Sequence, residues 1–185
     1  TAWALLLAGV DDVRILNGNY AAWVAYNGDI ETKPNTPASV NFGDDPGNPQ
    51  YLATKNDLLA VVNGTNTGDV IADDRSWEEY IGDSNSYYPY FHELGRIKTA
   101  RWIGDWPELT RADFQSLRTY TEVEQKWIDS GFASDKKMYF YCGTGWRSGL
   151  YTFYAYLMGW PAANYDGGWF EWSYYDNPRE TGAPK

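Results

Sequence analysis

The segment Lys137–Ser148, KMYFYCGTGWRS, restricts the possible folds of this chain more than any other stretch. Met138–Tyr141 is a short apolar and aromatic run, which is the pattern of a buried strand. The run ends at Cys142, the single cysteine of the 185-residue chain. Gly143 and Gly145 then permit a tight turn in which the backbone takes positive φ. The segment therefore predicts a strand that delivers a cysteine directly into a glycine-rich turn.

The residues after this turn have the spacing of a helix. From Ser148 onward, one face collects apolar side chains: Leu150, Phe153, Tyr154, Leu157 and Met158. Similar alternation of strand and helix patterns runs from 52 to 172, with further strands predicted at Asp69–Ala72, Ala100–Ile103 and Ala163–Tyr165. This alternation predicts an α/β fold with a doubly wound parallel sheet flanked by helices. Ligands of such sheets bind at the carboxyl ends of the strands, where Cys142 and Arg75 both fall.

The turn has the composition of a nucleophile site. A glycine-rich turn that enters a helix directs several backbone N–H groups to one point, where the helix N-terminus adds positive potential. A cysteine at the base of this bowl is expected to be a thiolate near neutral pH. Arg147 at the rim can hold an anion bidentately, and Thr144 and Ser148 add hydroxyl donors. We interpret Cys142 as a nucleophilic sulfur facing a small oxyanion, in preference to the commoner case of a buried, inert cysteine.

Composition argues against several other functions. The formal net charge of −10 disfavours binding to nucleic acid or to anionic membrane surfaces. One cysteine excludes internal disulfides, and the single histidine, His92, argues against a histidine metal site or a serine–histidine triad. No apolar run is long enough for a membrane-spanning helix. The sequence therefore calls for no metal and no cofactor.

The motif YCGTGWRS, followed by a helix and then by YDGGWFEW at Tyr165–Trp172, resembles the rhodanese (sulfurtransferase) family. It is especially similar to multidomain bacterial thiosulfate sulfurtransferases that carry a CGTGWR loop. The resemblance covers residues 52–182 and implies a rhodanese-like fold with Cys142 as the catalytic residue. It also implies that the loop binds the substrate or the persulfide through Gly143, Thr144, Gly145, Trp146, Arg147 and Ser148.

The resemblance implies transfer of a sulfane sulfur from thiosulfate to cyanide or a thiol through a Cys142 persulfide. Transfer from 3-mercaptopyruvate is one alternative, and a non-catalytic persulfide carrier or binding module is another. A cysteine-dependent phosphatase or arsenate reductase is disfavoured, because the four residues between Cys142 and Arg147 are one fewer than in those enzymes. Relatives of the multidomain type are often exported, which favours the periplasm or the cell surface.

A second family pattern precedes this loop in the chain. Asp73, Arg75 and Glu78 match the Asp-x-Arg and short helix that follow a strand in the family. Arg75 is therefore predicted to bind the substrate at the mouth of the site, with a structural ion pair to a nearby carboxylate as the alternative. The aromatic loop Asp83–Phe91 either packs for structural reasons, which the pattern favours, or forms a wall beside the cysteine.

The first 30 residues repeat part of the C-terminal region. Gly18 aligns with Gly167, and each glycine is followed five residues later by a tryptophan, Trp23 or Trp172. Repetition about one domain apart indicates a second copy of one structural unit. Residues 1–30 are therefore predicted to be the C-terminal fragment of a preceding rhodanese-like domain, in preference to an extension that merely packs on the catalytic domain.

This division predicts three segments: the fragment 1–30, a Pro/Gly/Asn-rich linker 31–51, and the catalytic domain 52–185. Within the fragment, Trp3–Ala8 is the predicted end of a helix and Val13–Leu16 a predicted strand. A partial domain leaves apolar surface and strand edges uncovered, so we expect association with another chain or with the missing segment.

Shorter patterns predict the remaining helices of the catalytic domain. Thr54 and Asp57 form a capping box at the start of one helix, and Arg111–Arg118 forms another. A second capping box, Thr121 with Glu124, is predicted to open a helix whose core-facing residues are Val123, Trp127 and Ile128.

Overall fold

The structure is a computed structural model that describes residues 1–39, 47–86, 88–112 and 116–184. Part of the predicted linker and Tyr87 of the aromatic loop lie outside these ranges. The strands, in chain order, are β1 (Val70–Asp73), β2 (Arg96–Ile97), β3 (Arg101–Trp102), β4 (Met138–Tyr141), β5 (Ala162–Asn164) and β6 (Arg179–Glu180). The helices are α1 (Ala2–Leu7), α2 (Asn19–Ala25), α3 (Lys55–Val62), α4 (Trp77–Ile81), α5 (Tyr120–Asp129), α6 (Ser148–Met158) and α7 (Gly168–Tyr174). Two 3₁₀ helices occupy Pro49–Tyr51 and Trp106–Glu108.

Four strands form a parallel sheet in the order β3-β1-β4-β5. Each of the four predicted strands of the catalytic domain is present, and each bound lies within one residue of its predicted position. The short strands β2 and β6 pair antiparallel as a separate ribbon. The predicted parallel α/β fold is therefore confirmed.

Helices cover both faces of the sheet, as a doubly wound fold requires. On one face, α3 and α7 pack against side chains that include Ile71, Tyr139 and Tyr141. On the other face, α5 and α6 pack against Ala72 and Phe140. Because strand side chains alternate between faces, this division also fixes the direction of the residues that follow each strand.

Capping boxes start three of the helices. The predicted box of Thr54 and Asp57 opens α3 and is confirmed. The box predicted from Thr121 and Glu124 is wrong, because the helix begins two residues earlier with Thr119 as its N-cap. Threonine and glutamate recur with the same spacing in this stretch, so the sequence pattern fits both registers. Tertiary packing selects the earlier register, in which Glu124 accepts a hydrogen bond from the Trp160 indole at 2.9 Å.

The predicted buried face of α5 is also partly wrong. Val123 and Trp127 are buried as predicted, but Ile128 is 49% exposed. Ile128 follows Trp127 directly on the helix, so both residues cannot point into the same core.

The helix predicted over Arg111–Arg118 is also wrong for the residues of this segment that the structure describes. Thr110 and Leu117 form an antiparallel bridge, and the Arg111 N–H donates to the Ser116 carbonyl at 2.9 Å. Asn17 bonds both backbone groups of Leu117, at 2.6 and 3.1 Å. These contacts satisfy the backbone in an extended form, and those made by Asn17 come from a residue 100 positions away in the sequence.

The N-terminal segment packs on the outer side of α6. Leu6 and Val13 are buried against Phe153, and the Trp3 indole donates to the Tyr51 carbonyl at 2.7 Å. The predicted helix at Trp3–Ala8 corresponds to α1. The strand predicted at Val13–Leu16 is wrong, since no described strand pairs with it and a strand needs a partner for its backbone groups.

The two copies of the internal repeat have the same local geometry. Each tryptophan donates its indole N–H to the carbonyl six residues later, Trp23 to Asp29 at 2.9 Å and Trp172 to Pro178 at 3.0 Å. In each copy the tryptophan carbonyl also accepts from the N–H five residues later, at 3.0 and 3.3 Å. Trp172 is fully buried, whereas Trp23 is 37% exposed. The same unit therefore lies inside a complete core in one copy and at the surface in the other.

Among the described residues, no helix is both long enough and apolar enough to cross a lipid bilayer.

Candidate active site

Cys142 directly follows β4 and lies at the base of the glycine-rich loop. The residue is 1% exposed, and the Ser148 hydroxyl at the start of α6 lies 3.7 Å from its sulfur. The predicted order of strand, cysteine, turn and helix is therefore present in the structure. It places a sulfur atom where a strand ends and a helix begins.

The loop carbonyls are held away from the site. The Cys142 carbonyl accepts from the Trp169 N–H at 2.8 Å, and the Gly143 carbonyl accepts from the Phe170 N–H at 3.0 Å. The Gly145 carbonyl accepts from the side-chain amide of Asn164 in β5 at 3.1 Å. In the described part of the chain, the N–H groups of residues 143–147 donate to no protein acceptor. These amides remain available to an anion bound at the sulfur.

Gly145 is required by the geometry of this loop. Its φ is +80°, which L side chains rarely adopt, and an added Cβ would lie 2.4 Å from the Asp166 carbonyl oxygen. Asp166 lies in the turn before α7, so close approach of the two turns closes the bowl. Asp166, the second residue of the YDGGWFEW motif, therefore lies directly against the glycine-rich loop.

Arg147 lies at the rim, as predicted, but two carboxylates face it. Its guanidinium approaches Glu79 at 3.3 Å and Asp105 at 3.4 Å. Burial alone would lower the pKa of Arg147, but Glu79, Cys142 and Asp74 outweigh burial and hold this pKa above its ordinary value. The cation is therefore permanent and partly neutralised before any ligand binds.

Glu79 is a site residue that the sequence reasoning missed. It is buried, and its carboxylate also accepts from the Ser76 N–H in the capping box that opens α4. The pattern Ser76-x-x-Glu79 signals such a box, so the sequence could have placed Glu79 at the start of a helix. The neighbouring Glu78, which the family pattern had selected, is exposed.

Arg75 does not lie at the mouth of the site, and its predicted substrate-binding role is corrected. The side chain is fully buried and bonds both carboxylate oxygens of Asp73, at 2.9 and 2.6 Å. It also donates to the Gly95 carbonyl at 2.7 Å and lies over the Trp169 ring at 4.8 Å. Burial by itself would lower the pKa of Arg75. The Asp73 carboxylate, together with other nearby groups, outweighs burial, so this pKa lies above its ordinary value. The structure therefore shows the alternative, a structural ion pair between Arg75 and Asp73.

A second missed residue, Asp74, occupies the middle position of the Asp-x-Arg pattern. It is fully buried, and neither carboxylate oxygen has a hydrogen-bond partner in the described part of the chain. Burial raises the pKa of Asp74 well above its usual range; Cys142 raises it further, and Arg147 opposes the change. The signal in the sequence was a second acidic residue at the end of a buried strand.

Aromatic side chains form a wall beside the loop. The rings of Tyr88 and Phe91 stack with centroids 4.6 Å apart, and a Cβ on Gly143 would lie within 3.2 Å of both. Tyr90 and Phe170 extend the cluster through edge contacts. Burial raises the pKa of Tyr88 above its ordinary value. The Arg147 cation acts in the opposite direction, and Cys142 raises this pKa further. Within the loop, Phe91 thus packs into the core with Tyr88 against it, and both rings lie next to Gly143, the residue after the cysteine.

Trp146 differs from its neighbours in the loop. Its side chain is 88% exposed and lines a cavity of about 330 Å³ between the loop and the N-terminal segment, with Leu16, Trp106 and Leu150. Cys142 does not line this cavity.

The family model of the rhodanese-like domain matches residues 54–174. The chain belongs to this family. It is 34% identical to the thiosulfate sulfurtransferase YnjE of Escherichia coli strain K12, over 98% of this chain and 43% of that protein.

Two solved structures also resemble the chain closely. One is the anaerobic ergothioneine biosynthesis enzyme from Chlorobium limicola in complex with trimethyl histidine, with a TM-score of 0.87 and 36% identity over 99% of this chain and 44% of that one. The other is an EanB variant with ergothioneine covalently linked to a cysteine persulfide, with a TM-score of 0.87 and 36% identity over 100% of this chain and 45% of that one. The chain spans less than half the length of the relatives described here.

Replacing Asp73 tests the structural role of Arg75. Asp73→Asn leaves the Arg75 cation buried without a counter-ion, so we expect the free energy of unfolding to fall by about 3–5 kcal/mol. Urea denaturation followed by circular dichroism measures the change. The matched control is Asp12→Asn, which breaks the exposed pair with Arg14 and is expected to leave stability unchanged. An equally small effect of Asp73→Asn would argue against a structural pair.

Proposed function

We propose that this chain is a sulfurtransferase that moves a sulfane sulfur from thiosulfate to a nucleophilic acceptor through a persulfide on Cys142. The observation that carries the proposal is the position of the Cys142 sulfur at the base of a loop with unpaired N–H groups and an arginine at its rim. Membership of the rhodanese-like family and the similarity to a thiosulfate sulfurtransferase support it.

The first half-reaction loads the enzyme. The Cys142 thiolate attacks the outer sulfur of thiosulfate, a new sulfur–sulfur bond forms, and the bond to the sulfonate sulfur breaks. Its electron pair leaves with sulfite, and Cys142 carries a persulfide anion. The unpaired N–H groups of the loop stabilise this anion, since they point to the site without reorganisation.

The second half-reaction returns the thiolate. An acceptor such as cyanide or a thiol attacks the terminal sulfur, and the electron pair of the breaking bond returns to Cys142. The two halves share one enzyme form, so the kinetics are ping-pong. Arg147 holds the sulfonate of the donor, in competition with Glu79 and Asp105.

3-Mercaptopyruvate is the alternative donor, because its carboxylate would suit Arg147 equally well. A persulfide carrier without turnover is a further alternative, and it would load sulfur but release it slowly to small acceptors.

A second candidate acceptor is a heterocycle that bears a quaternary ammonium group. The aromatic wall of Tyr88, Tyr90, Phe91 and Phe170 favours it, since such cations bind against aromatic rings. The similarity to an enzyme that binds trimethyl histidine supports the same class. In this step the ring carbon attacks the terminal sulfur of the persulfide and a carbon–sulfur bond forms. The sulfur–sulfur bond breaks, its electron pair returns to Cys142, and the proton of the ring carbon is released to solvent.

For the N-terminal segment we propose that residues 1–30 are the C-terminal part of a preceding rhodanese-like domain, joined by the linker 31–51 to the catalytic domain 52–185. The shared tryptophan geometry of α2 and α7 supports this. Large apolar side chains of the segment are exposed, namely Leu5, Ile15, Leu16, Tyr20, Trp23, Val24, Tyr26 and Ile30. We propose that the rest of such a domain covers them.

Sulfur loading tests the central proposal. Incubation with thiosulfate should add the mass of one sulfur atom to the intact protein, and cyanide should remove it. Cys142→Ser should gain nothing, because a serine hydroxyl does not form a persulfide. Thr65→Ser, an exposed and distant replacement, is the control for handling and should load normally. No adduct with thiosulfate or 3-mercaptopyruvate would overturn the catalytic proposal, and comparison of their initial rates would assign the donor.

The aromatic wall predicts which acceptor is preferred. The loaded enzyme mixed with trimethyl histidine should release a product heavier by one sulfur atom. Tyr88→Ala should slow this transfer about tenfold or more, through loss of cation–π contact and packing, with a smaller effect on transfer to a thiol. Tyr26→Ala, on an exposed ring outside the wall, should change neither rate. Equal losses with both acceptors would count against specific recognition of the cation.

The domain proposal predicts unequal protection of the two repeat units. Amide hydrogen exchange should be much faster in α2 than in α7, because α2 has no buried residue while α7 buries both of its tryptophans. Comparable protection of the two helices would indicate that the N-terminal segment is complete as it stands.

A further inference from the structure

Asp74 and Cys142 follow adjacent strands at the same level. In the parallel register of β1 and β4, Asp73 pairs with Tyr141. Asp74 and Cys142 are the residues that come directly after this pair. The Asp74 N–H donates to the Tyr141 carbonyl at 3.2 Å, so the ladder continues past the strand ends. Neighbouring strands lie about 4.8 Å apart, which brings the two backbones side by side.

The two side chains also share a face of the sheet. Asp73 and Tyr141 are hydrogen-bonded to each other on the face covered by α3 and α7. Ala72 and Phe140 lie on the opposite face, against α5 and α6. Side chains alternate along a strand, so the residues that follow Asp73 and Tyr141 point to the α6 side. Ser148 of α6 meets the Cys142 sulfur on that side.

The carboxyl group of Asp74 lies on this side of the sheet without a hydrogen-bond partner in the described part of the chain. Both of its oxygens are buried. An ionised carboxylate in this position would be desolvated and would repel the Cys142 thiolate. A protonated carboxyl group has one O–H donor, and the Cys142 sulfur anion, which follows the adjacent strand on the same face of the sheet, is a candidate acceptor for it.

We propose that Asp74 is a neutral carboxylic acid in the folded protein at neutral pH and donates its O–H to the Cys142 sulfur. Asp74 is then a positioning residue that holds the thiolate, and later the persulfide anion, in place beside the loop. It keeps its proton through both half-reactions. This inference deepens the proposed function, since it rests on Cys142 as the nucleophile.

The charged and titratable groups around Asp74 decide its protonation. Cys142 and Arg147 face it from the loop, Asp73 lies on its own strand, Asp105 follows β3, and Tyr151 lies on α6. Four of these five groups are neutral or anionic. The only cation, Arg147, already faces Glu79 and Asp105, so its attraction for a further carboxylate is divided.

The single cysteine makes the decisive experiment direct. Protein labelled with ¹³C at the cysteine β-carbon has one resonance, which reports the ionisation of Cys142 without any reagent having to enter the site. Its pH midpoint is compared for the native protein, Asp74→Asn and Asp74→Val. Asparagine keeps the shape and an N–H donor, whereas valine removes the donor.

A neutral Asp74 predicts opposite behaviour from an ionised one. We expect the midpoint of Asp74→Asn to stay within about 0.5 pH unit of the native value, and that of Asp74→Val to rise by about one unit, a tenfold loss of thiolate. If Asp74 is ionised, both replacements remove a negative charge and both midpoints fall, which overturns the proposal. An unchanged midpoint in Asp74→Val also overturns it.

Stability gives a second, independent readout. The folded-state pKa of Asp74 is raised, while the unfolded carboxyl ionises near its ordinary pKa of about 3.9. The contribution of Asp74 to stability is therefore greatest below that value and is lost as the pH rises through it toward neutrality. The urea midpoint of the native protein should fall relative to that of Asp74→Asn between pH 4 and pH 7, by roughly 1 M or more. Parallel curves would contradict a protonated carboxyl.

Neither measurement uses a sulfur donor, so the two proposals fail separately. A rise in the Asp74→Val midpoint without sulfur loading would leave the carboxyl–sulfur pair standing and remove the sulfurtransferase function. Normal sulfur loading with a fall in both midpoints would leave the sulfurtransferase function standing and remove the carboxyl–sulfur pair. Asp12→Asn, an exposed acidic replacement, is the control for general changes in charge.

Discussion

The buried ion pair between Asp73 and Arg75 holds the carboxyl ends of the sheet together. Asp73 accepts from Arg75 and from the Tyr141 hydroxyl, so β1 and β4 are joined at the level of the cysteine. The guanidinium also lies over the ring of Trp169, and the backbone N–H of Trp169 donates to the Cys142 carbonyl. A buried pair contributes little net stability over an apolar core, but it tolerates only one arrangement of its partners. Its effect is to fix the register that sets Asp74 beside Cys142.

The charge distribution follows from this arrangement. The chain carries a net charge of −10, and three carboxyl groups, Asp74, Glu79 and Asp105, act on the arginine at the rim of the site. An anionic donor is therefore attracted only over short distances, by Arg147 and by the backbone N–H groups of the loop. A neutral Asp74 reduces the negative charge that a thiolate, a persulfide and an incoming oxyanion would otherwise meet.

The repeated tryptophan unit shows how local geometry and burial separate. Trp23 and Trp172 make the same two hydrogen-bond patterns, because these depend on residues within six positions of each ring. Burial depends on what packs against the unit, and only Trp172 is enclosed. The same distinction explains the segment 13–16, which has no strand to pair with among the described residues.

The sequence by itself determined the parallel α/β fold, the strand before Cys142, the turn and the helix that follows, because apolar periodicity and glycine positions act over a few residues. Only the tertiary structure decided the register of α5, the contacts of Asn17 with Leu117 and the partners of Arg147, because each involves residues distant in the chain. The roles of Arg75 and Asp74 belong to the same group. Adjacent in sequence, they point to opposite faces of the sheet. One face makes Arg75 a buried cation with a counter-ion, and the other leaves Asp74 without a hydrogen-bond partner in the described part of the chain.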